Sequence, residues 1–428
     1  MARKTFKFRL YPNRQQRDTL TATLDVCREL YNAGLQERIE AWKNRTPVRC
    51  YDQINQLPDI KQVREDVAGV FSQVLQDTLR RLDKTYKTFF GRVKRGQKAG
   101  FPRFKGRNRY DSFTYPQSGF ELNGKLQLSK IGNIKIKQHR DLEGEIKTLT
   151  IRREAGCWYA CFSVEYQPTK LPHNSNNIGI DVGLEAFATL SDGVRIENHR
   201  YYKAAQAKLR RAQRKMARRQ NKKSKRRHKA ILLLQKAYQH VANQRKDFQH
   251  KLSTQLVQNF GMIAVEDLNI KGLSAGILAK AVHDVGWSTF LNMLAYKAEN
   301  AGRQLVKVDP KYTSQECPNC HALEKKPLSE RVHRCDCGLT IGRDHAAAFV
   351  ILGRGLRLQA QTMEQSVLVA CRQAGRASTK TASRPELGTR DLAQCLARLF
   401  RDGRFWINTD RLFELRAGPG SVVELFVD

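Results

Sequence analysis

The amino-acid sequence predicts a multidomain α+β protein: a small β-barrel with an inserted helical domain, followed by an α/β domain that carries a metal-binding ribbon. Three observations predict it. The hydrophobic period switches from two to between three and four and back before residue 170; three carboxylates interrupt or border apolar runs beyond residue 175; and four cysteines form two close pairs between 317 and 337. The chain has 428 residues with 77 Lys+Arg against 41 Asp+Glu, a formal net charge of +36. That excess demands a polyanionic partner, most plausibly nucleic acid, and excludes a neutral housekeeping globule. A hydrophobic fraction of 40% with only 12 Pro fits folded protein rather than a basic tail. No apolar segment follows the charged amino terminus, and no run approaches the ~18 apolar residues of a membrane span. The expectation is a non-secreted, cytoplasmic protein with no membrane partner.

In chain order, Thr5–Tyr11 alternates apolar and basic residues as a half-buried strand, and Pro12-Asn13 ends it. From Gln15 to about Val93 the pattern is helical; Phe71, Leu75, Leu79, Leu82, Tyr86, Phe89 and Val93 form the clearest stripe. The Arg and Lys on its other faces either meet a polyanion or form the solvated face of a bundle helix. Between Gly96 and Tyr115, basic residues interleave with Phe101, Phe104, Tyr110, Phe113 and Tyr115. Such aromatics either stack on bases or plug the domain beneath, and the overall charge favours the first. From Phe120 to Tyr166, alternating segments such as Asn133–Lys137 and Trp158–Val164 read as strands of the barrel, which Thr5–Tyr11 would complete. Lys203–Lys229 contains 14 Lys or Arg in 27 residues and no acid, yet stays helix-competent, so a long helix or helical pair is expected.

Ile178-Gly179-Ile180-Asp181-Val182 is a buried-strand pattern holding a carboxylate, and Phe187–Leu190 with an Asp192-Gly193 turn follows it. Met262–Val265 delivers Glu266 in the same way. Asp344 precedes Ala346–Leu352 as an N-terminal residue of an apolar helix. Singly, each acid is more often a turn or cap residue, and a buried one is costly without a cation or hydrogen bonds. Together they suit phosphodiester hydrolysis: carboxylate oxygens hold Mg²⁺, and two such ions about 3.5–4 Å apart serve both the attacking and the leaving oxygen.

Cys317-Pro318-Asn319-Cys320 and Cys335-Asp336-Cys337-Gly338 have two-knuckle spacing for a structural Zn²⁺, closed by four thiolates and so offering no position to substrate. The second knuckle is C-x-C. His321 and His333 stand close enough to substitute, but the cysteines already fill the shell. The scattered Cys27, Cys50, Cys157, Cys161, Cys371 and Cys395 do not make a disulfide framework.

The order Gly179–Leu184, Val265–Asn269, Thr313–Cys320 and Cys335–Asp344, with Phe8–Pro12 and Gly100–Lys105 upstream, resembles the motifs of the TnpB family, transposon-encoded nucleases related to type V CRISPR effectors. The resemblance extends to about residue 352. It implies a wedge β-barrel (1–12 and 106–172), a helical recognition domain (13–105), an RNase H-like (RuvC) nuclease domain (173–311 and 343–370) and a zinc ribbon (312–342), leaving a tail from 371 to 428. It further implies an RNA-guided DNA endonuclease, monomeric in its complex, with Asp181, Glu266 and Asp344 as catalytic Mg²⁺ ligands. Its partners would be a guide RNA from the transposon end and target double-stranded DNA with a short flanking motif. Two departures stand out: Gly342 where the family usually has Asp, and Ala346 where Asn is common. A guide-dependent DNA-binding regulator and a DNA transposase are the competing readings.

Overall fold

The computed structural model describes residues 1–378 except 108, 222–223, 274, 277–278 and 328–329. These divide into two compact units, Met1–Pro168 with Ala207–His240, and Thr169–Gln206 with the chain from Val241 onward.

In the first unit, β1 (Ala2–Tyr11) runs into α1 (Arg14–Lys43), and Asn13 marks the join. Its side chain accepts the Gln16 amide N–H at 2.8 Å while the Gln16 side chain accepts the Asn13 N–H at 3.1 Å, a reciprocal cap that satisfies two orphan donors. Short helices α2 (Cys50–Asn55), α3 (Leu57–Val63) and α4 (Glu65–Ala68) lead to α5 (Ser72–Lys94). Leu75, Leu79 and Leu82 of the expected stripe are buried against α1, but the stripe outruns its core: Tyr86 and Phe89 are half-buried and Val93 is exposed. The aromatics between Gly96 and Tyr115 divide similarly. Tyr110, Phe113 and Tyr115 plug the core, which corrects the stacking role expected of them, whereas Phe101 and Phe104 face solvent.

Strands β2 (Ser112–Tyr115), β3 (Phe120–Asn123), β4 (Lys125–Leu128), β5 (Gly132–Lys137), β6 (Glu145–Glu154) and β7 (Cys157–Tyr166) join β1 in a seven-stranded antiparallel sheet of order β2-β6-β7-β1-β5-β4-β3. β1 pairs with β7 on one side and β5 on the other, so the helices are inserted after a central strand, as the sequence implied. The expected barrel does not close. Its edge strands β2 and β3 share no ladder, because bulky rings fill the gap: Tyr115 of β2 stacks on Phe71 at 5.7 Å and meets Phe120 of β3 at 6.4 Å.

The second unit holds a five-stranded sheet made of β8 (Asn177–Asp181), β9 (Ala186–Leu190), β10 (Arg195–Glu197), β11 (Met262–Glu266) and β12 (Gln304–Val308). The order is β10-β9-β8-β11-β12; the first three strands are antiparallel, and β8, β11 and β12 run parallel. The basic block becomes the expected helical pair, α6 (Tyr201–Ala217) and α7 (Lys225–Asn259), with residues 207–240 belonging to the first unit. Helices α8 (Ile270–Leu273), α9 (Ala279–Val285) and α10 (Trp287–Ala301) follow β11, and the hairpin β13 (Val332–Arg334) and β14 (Thr340–Gly342) precedes α11 (Arg343–Ser378). The tail expected from residue 371 lies outside the described residues beyond 378. Among the described residues no helix is long and apolar enough to cross a membrane.

Alternation along the strands sorts the sheet's two faces. Ile178, Ile180, Ile263 and Val265 pack with Trp287, Phe290 and Leu294 of α10, while Met262 and Ala264 pack with Ile351 of α11. Gly179 takes the α11 face, and a Cβ there would run into the carbonyl oxygen of Ala348; a Cβ on Gly355 would stand 2.6 Å from that of Ala264. The helix thus lies directly on the sheet. Gly179→Val is expected to cost about 3 kcal/mol or more, because backbone on both sides must move apart. A melting curve within a degree or two of the parent's would contradict this close contact.

Candidate active site and cysteine centre

The same alternation that puts Gly179 and Ala264 beneath α11 puts Asp181 and Glu266, each two residues further on, on that face at adjacent parallel strand ends. Asp344 enters from the first turn of α11, beside the exposed N–H groups that favour a carboxylate. The chain therefore brings the three predicted acids together from two strands and a helix. Asp181 keeps an opening to solvent but is largely enclosed, and its carboxyl is pushed up to about 8, first by burial and then by the charges of Glu266 and Asp344, with Arg343 opposing. Burial also raises Glu266, against a hydrogen bond from Thr313 and the charge of Arg354. These acids repel, yet they are spread: among the described residues only the four cysteines place their ligand atoms within 4.8 Å of one another.

With Asp181 raised to about 8, the set holds a proton at neutral pH. Because the folded-state value lies above that of the unfolded chain, the protonated Asp181 stabilises the fold most at low pH, and this contribution is lost as pH rises from about 4 towards 8. In chelator, stability should fall across the upper part of that window by up to about 1.4 kcal/mol per pH unit. Asp181→Asn should flatten the slope. Equal slopes for parent and variant would rule out Asp181 as its source.

Three residues of the site had no assigned role in the sequence. Thr313 donates its hydroxyl to Glu266 Oε1 at 2.5 Å, fixing that carboxylate's orientation. Arg343, buried beside Asp344, donates to the carbonyls of Pro327 and Glu330 and to Ser314 Oγ. Arg354, further along α11, donates to the carbonyls of Asp309 and Lys311 at 2.8 Å each and to Glu316 at 2.6 Å. Thr313 ties the residues between Asp309 and Glu316 to Glu266, and Arg343 and Arg354 tie those residues, Pro327 and Glu330 to α11. Thr313 stands inside a recognisable motif, but no spacing rule links it to Glu266. If the three acids hold a catalytic cation, Thr313→Val should lower activity roughly 10- to 100-fold, as expected of a group that orients a metal ligand. Thr313→Ser should restore it, and a valine variant of unchanged rate would show that the hydrogen bond has no part in the chemistry.

The four cysteines also converge. Cys317 and Cys337 sulfurs lie 3.7 Å apart and those of Cys320 and Cys335 3.4 Å apart. His321 N–H reaches Cys317 O and Gly338 N–H reaches Cys335 O, with positive φ at both His321 and Gly338. The left-handed position that glycine fills in the second knuckle is thus filled by histidine in the first. Cys337 is drawn down to about 6, first by the Leu339 N–H and then by Asn319, while Cys335, against the Cys337 N–H, is raised by the neighbouring Cys320 thiol. Neither histidine competes as a ligand: His321 sits between Glu316 and Arg357, and buried His333 meets Lys326 at 2.7 Å. The set fits a zinc-type centre.

A protein of Streptomyces pristinaespiralis named "Putative RNA-guided DNA endonuclease" is 34% identical over 370 residues, covering 84% of this chain and 90% of that protein. The chain belongs to the TnpB family. Matching family models are the OrfB_IS605 "Probable transposase" over residues 161–275, the "Cas12f1-like, TNB domain" over 287–351 and a "Helix-turn-helix domain" over 1–46, where this TnpB protein has one strand and one helix. It is also 27% identical over 257 residues to the CRISPR-associated endodeoxyribonuclease Cas12f1 of Sulfoacidibacillus thermotolerans, covering 53% of this chain and 59% of that protein. Its fold is similar to that of a Cas12f1 chain solved by cryo-EM with sgRNA and target DNA (TM-score 0.51, 14% identity, 82% of this chain and 98% of that one).

Proposed function

We propose that this TnpB protein is an RNA-guided DNA endonuclease whose catalytic residues are Asp181, Glu266 and Asp344. The observation that carries the reading is the meeting of these acids on the α11 face of the sheet, in a chain of +36 otherwise suited to holding phosphate. Oxygen donors of this kind fit Mg²⁺, and the proton held on Asp181 marks a site that lacks compensating positive charge. When bound, a pair of Mg²⁺ ions would supply the charge that activates water and stabilises the leaving oxygen. Asp181 and Glu266 would present oxygens from rigid strand ends; Thr313 would hold Glu266 to one rotamer, and Arg343 would balance part of the negative charge. Zn²⁺ on Cys317, Cys320, Cys335 and Cys337 would be structural.

We read the five-stranded sheet of order β10-β9-β8-β11-β12, with α11 on one face, as an RNase H-like (RuvC) domain, a reading its mixed strand directions support. In this reading the seven-stranded sheet of the first unit is the wedge, 13–105 the recognition insert and 312–342 the ribbon, and one copy acts with a transposon-end guide RNA on duplex DNA bearing a short flanking motif. Sequencing the RNA that copurifies, then replacing its guide segment, tests this. Cleavage should move to the new complementary sequence. Cutting confined to transposon ends whatever the RNA would identify a transposase instead, and target occupancy without cleavage in Mg²⁺ a regulator.

A further inference from the structure

Where the apolar stripe of α5 outruns its core, it leaves aromatic surface in solvent. Phe90 is 59% exposed and Phe101, from the loop after α5, is 49% exposed. They belong to one cluster: Phe89 and Phe90 lie 5.1 Å apart, and Phe101 meets Phe89 edge-on at 5.4 Å and Tyr86 at 5.8 Å. Beside it opens a cleft of about 360 Å³ whose lining includes Lys84, Thr85, Thr88, Phe89 and Arg92. The acids of this helix are engaged elsewhere, Asp77 with Arg81 at 2.7 Å and Asp83 with Arg38 and Lys87 at 3.1 and 2.9 Å. Lys84 and Arg92 make no salt bridge among the described residues.

Flat exposed rings bordered by cations complement a ligand that is at once aromatic and anionic. A protein partner would need an unusually acidic apolar face, whereas each unpaired nucleotide offers a π-face and a phosphate. Bases in a closed duplex are already stacked on both sides. We propose that the Phe89-Phe90-Phe101 cluster and the Lys84/Arg92 cleft bind unpaired nucleotides of the guide RNA, the bases stacking on Phe90 and Phe101 and the phosphates lying along the cleft. RNA is the committed source because, in the guide-dependent reading on which this rests, it occupies the protein before any target is opened.

The test uses the full chain purified with its own RNA. Ultraviolet crosslinking followed by nuclease digestion and mass spectrometry should find nucleotide adducts on the peptides carrying Phe90 or Phe101. In Phe90→Ala the adducts at that peptide should vanish, and RNA release at raised salt should quicken about fivefold or more. Phe90→Trp should restore both. The Lys84→Ala defect should fade as salt rises, since it is a screened charge contact. RNA crosslinked elsewhere but never here, adducts that arise only on adding target DNA, or release unchanged in Phe90→Ala would each overturn the proposal. Absence of any copurifying RNA would instead count against guide dependence itself. Phe90 is exposed, so alanine there should leave the fold intact, and a matching melting curve verifies it.

Discussion

Asp181→Ala, loaded with guide RNA and given target DNA, is expected to cut at least about 10³-fold more slowly than the parent while retaining its RNA. The size follows from the proposed role: a carboxylate that held cations beside the scissile phosphate would, on removal, take several kcal/mol of transition-state stabilisation with it. Retained binding follows from place. Asp181 is a strand-end acid of the second unit whose charge acts with those of Glu266, Asp344 and Arg343, whereas the proposed RNA cleft lies on α5 of the first, so its removal should leave that cleft's residues unchanged. Folding should not suffer either, because the carboxyl is destabilised in place by burial and by Glu266 and Asp344. Measuring cleavage rate, RNA content and melting temperature on one preparation separates these effects. Undiminished cutting by the variant would remove Asp181 from the chemistry.

Cys317→Ala is expected to have the next largest effect, though no sulfur contacts substrate. Cys317 is fully buried, and its N–H and carbonyl tie the knuckle through Ala322 and His321. Without a closed thiolate shell, the free energy of metal binding is withdrawn from a segment with little apolar core of its own. The segment carrying Thr313 and the carbonyls gripped by Arg343 and Arg354 then loosens, and Glu266 loses its fixed rotamer. Zinc should fall from about one per chain to none and cleavage by roughly 10²-fold, with RNA binding by the first unit preserved. A variant lacking zinc but cutting at the parental rate would show that the ribbon does not support the acids.

Much of this was legible beforehand, for physical reasons. Asp181 and Glu266 stood out because a carboxylate in an apolar strand run is costly, and the cysteine quartet because thiolate spacing is set by zinc geometry. Strands β1, β5 and β7 follow the period-two pattern of a half-buried sheet, and β8 and β11 the near-continuous apolar run of a strand buried on both faces. Closure of the first sheet was not legible, since it turns on whether Tyr115, Phe71 and Phe120 leave room for two edges to pair. Nor was the point at which the α5 stripe leaves its core: Phe89 and Val93 keep the helical period of Leu79 and Leu82, and only the length of the facing elements exposes them. The Thr313–Glu266 and Arg354–Glu316 contacts depend on tertiary proximity, on which local pattern is silent. Why Gly342 and Ala346 stand where the family favours polar residues has no explanation in the packing around them.

The acids join the site in chain order, from β8, then β11, then the first turn of α11, and residue 240 already completes the first unit. On the proposed chemistry, a chain interrupted between 241 and 343 would lack at least Asp344, so the acid set is complete only once the first turn of α11 has been made.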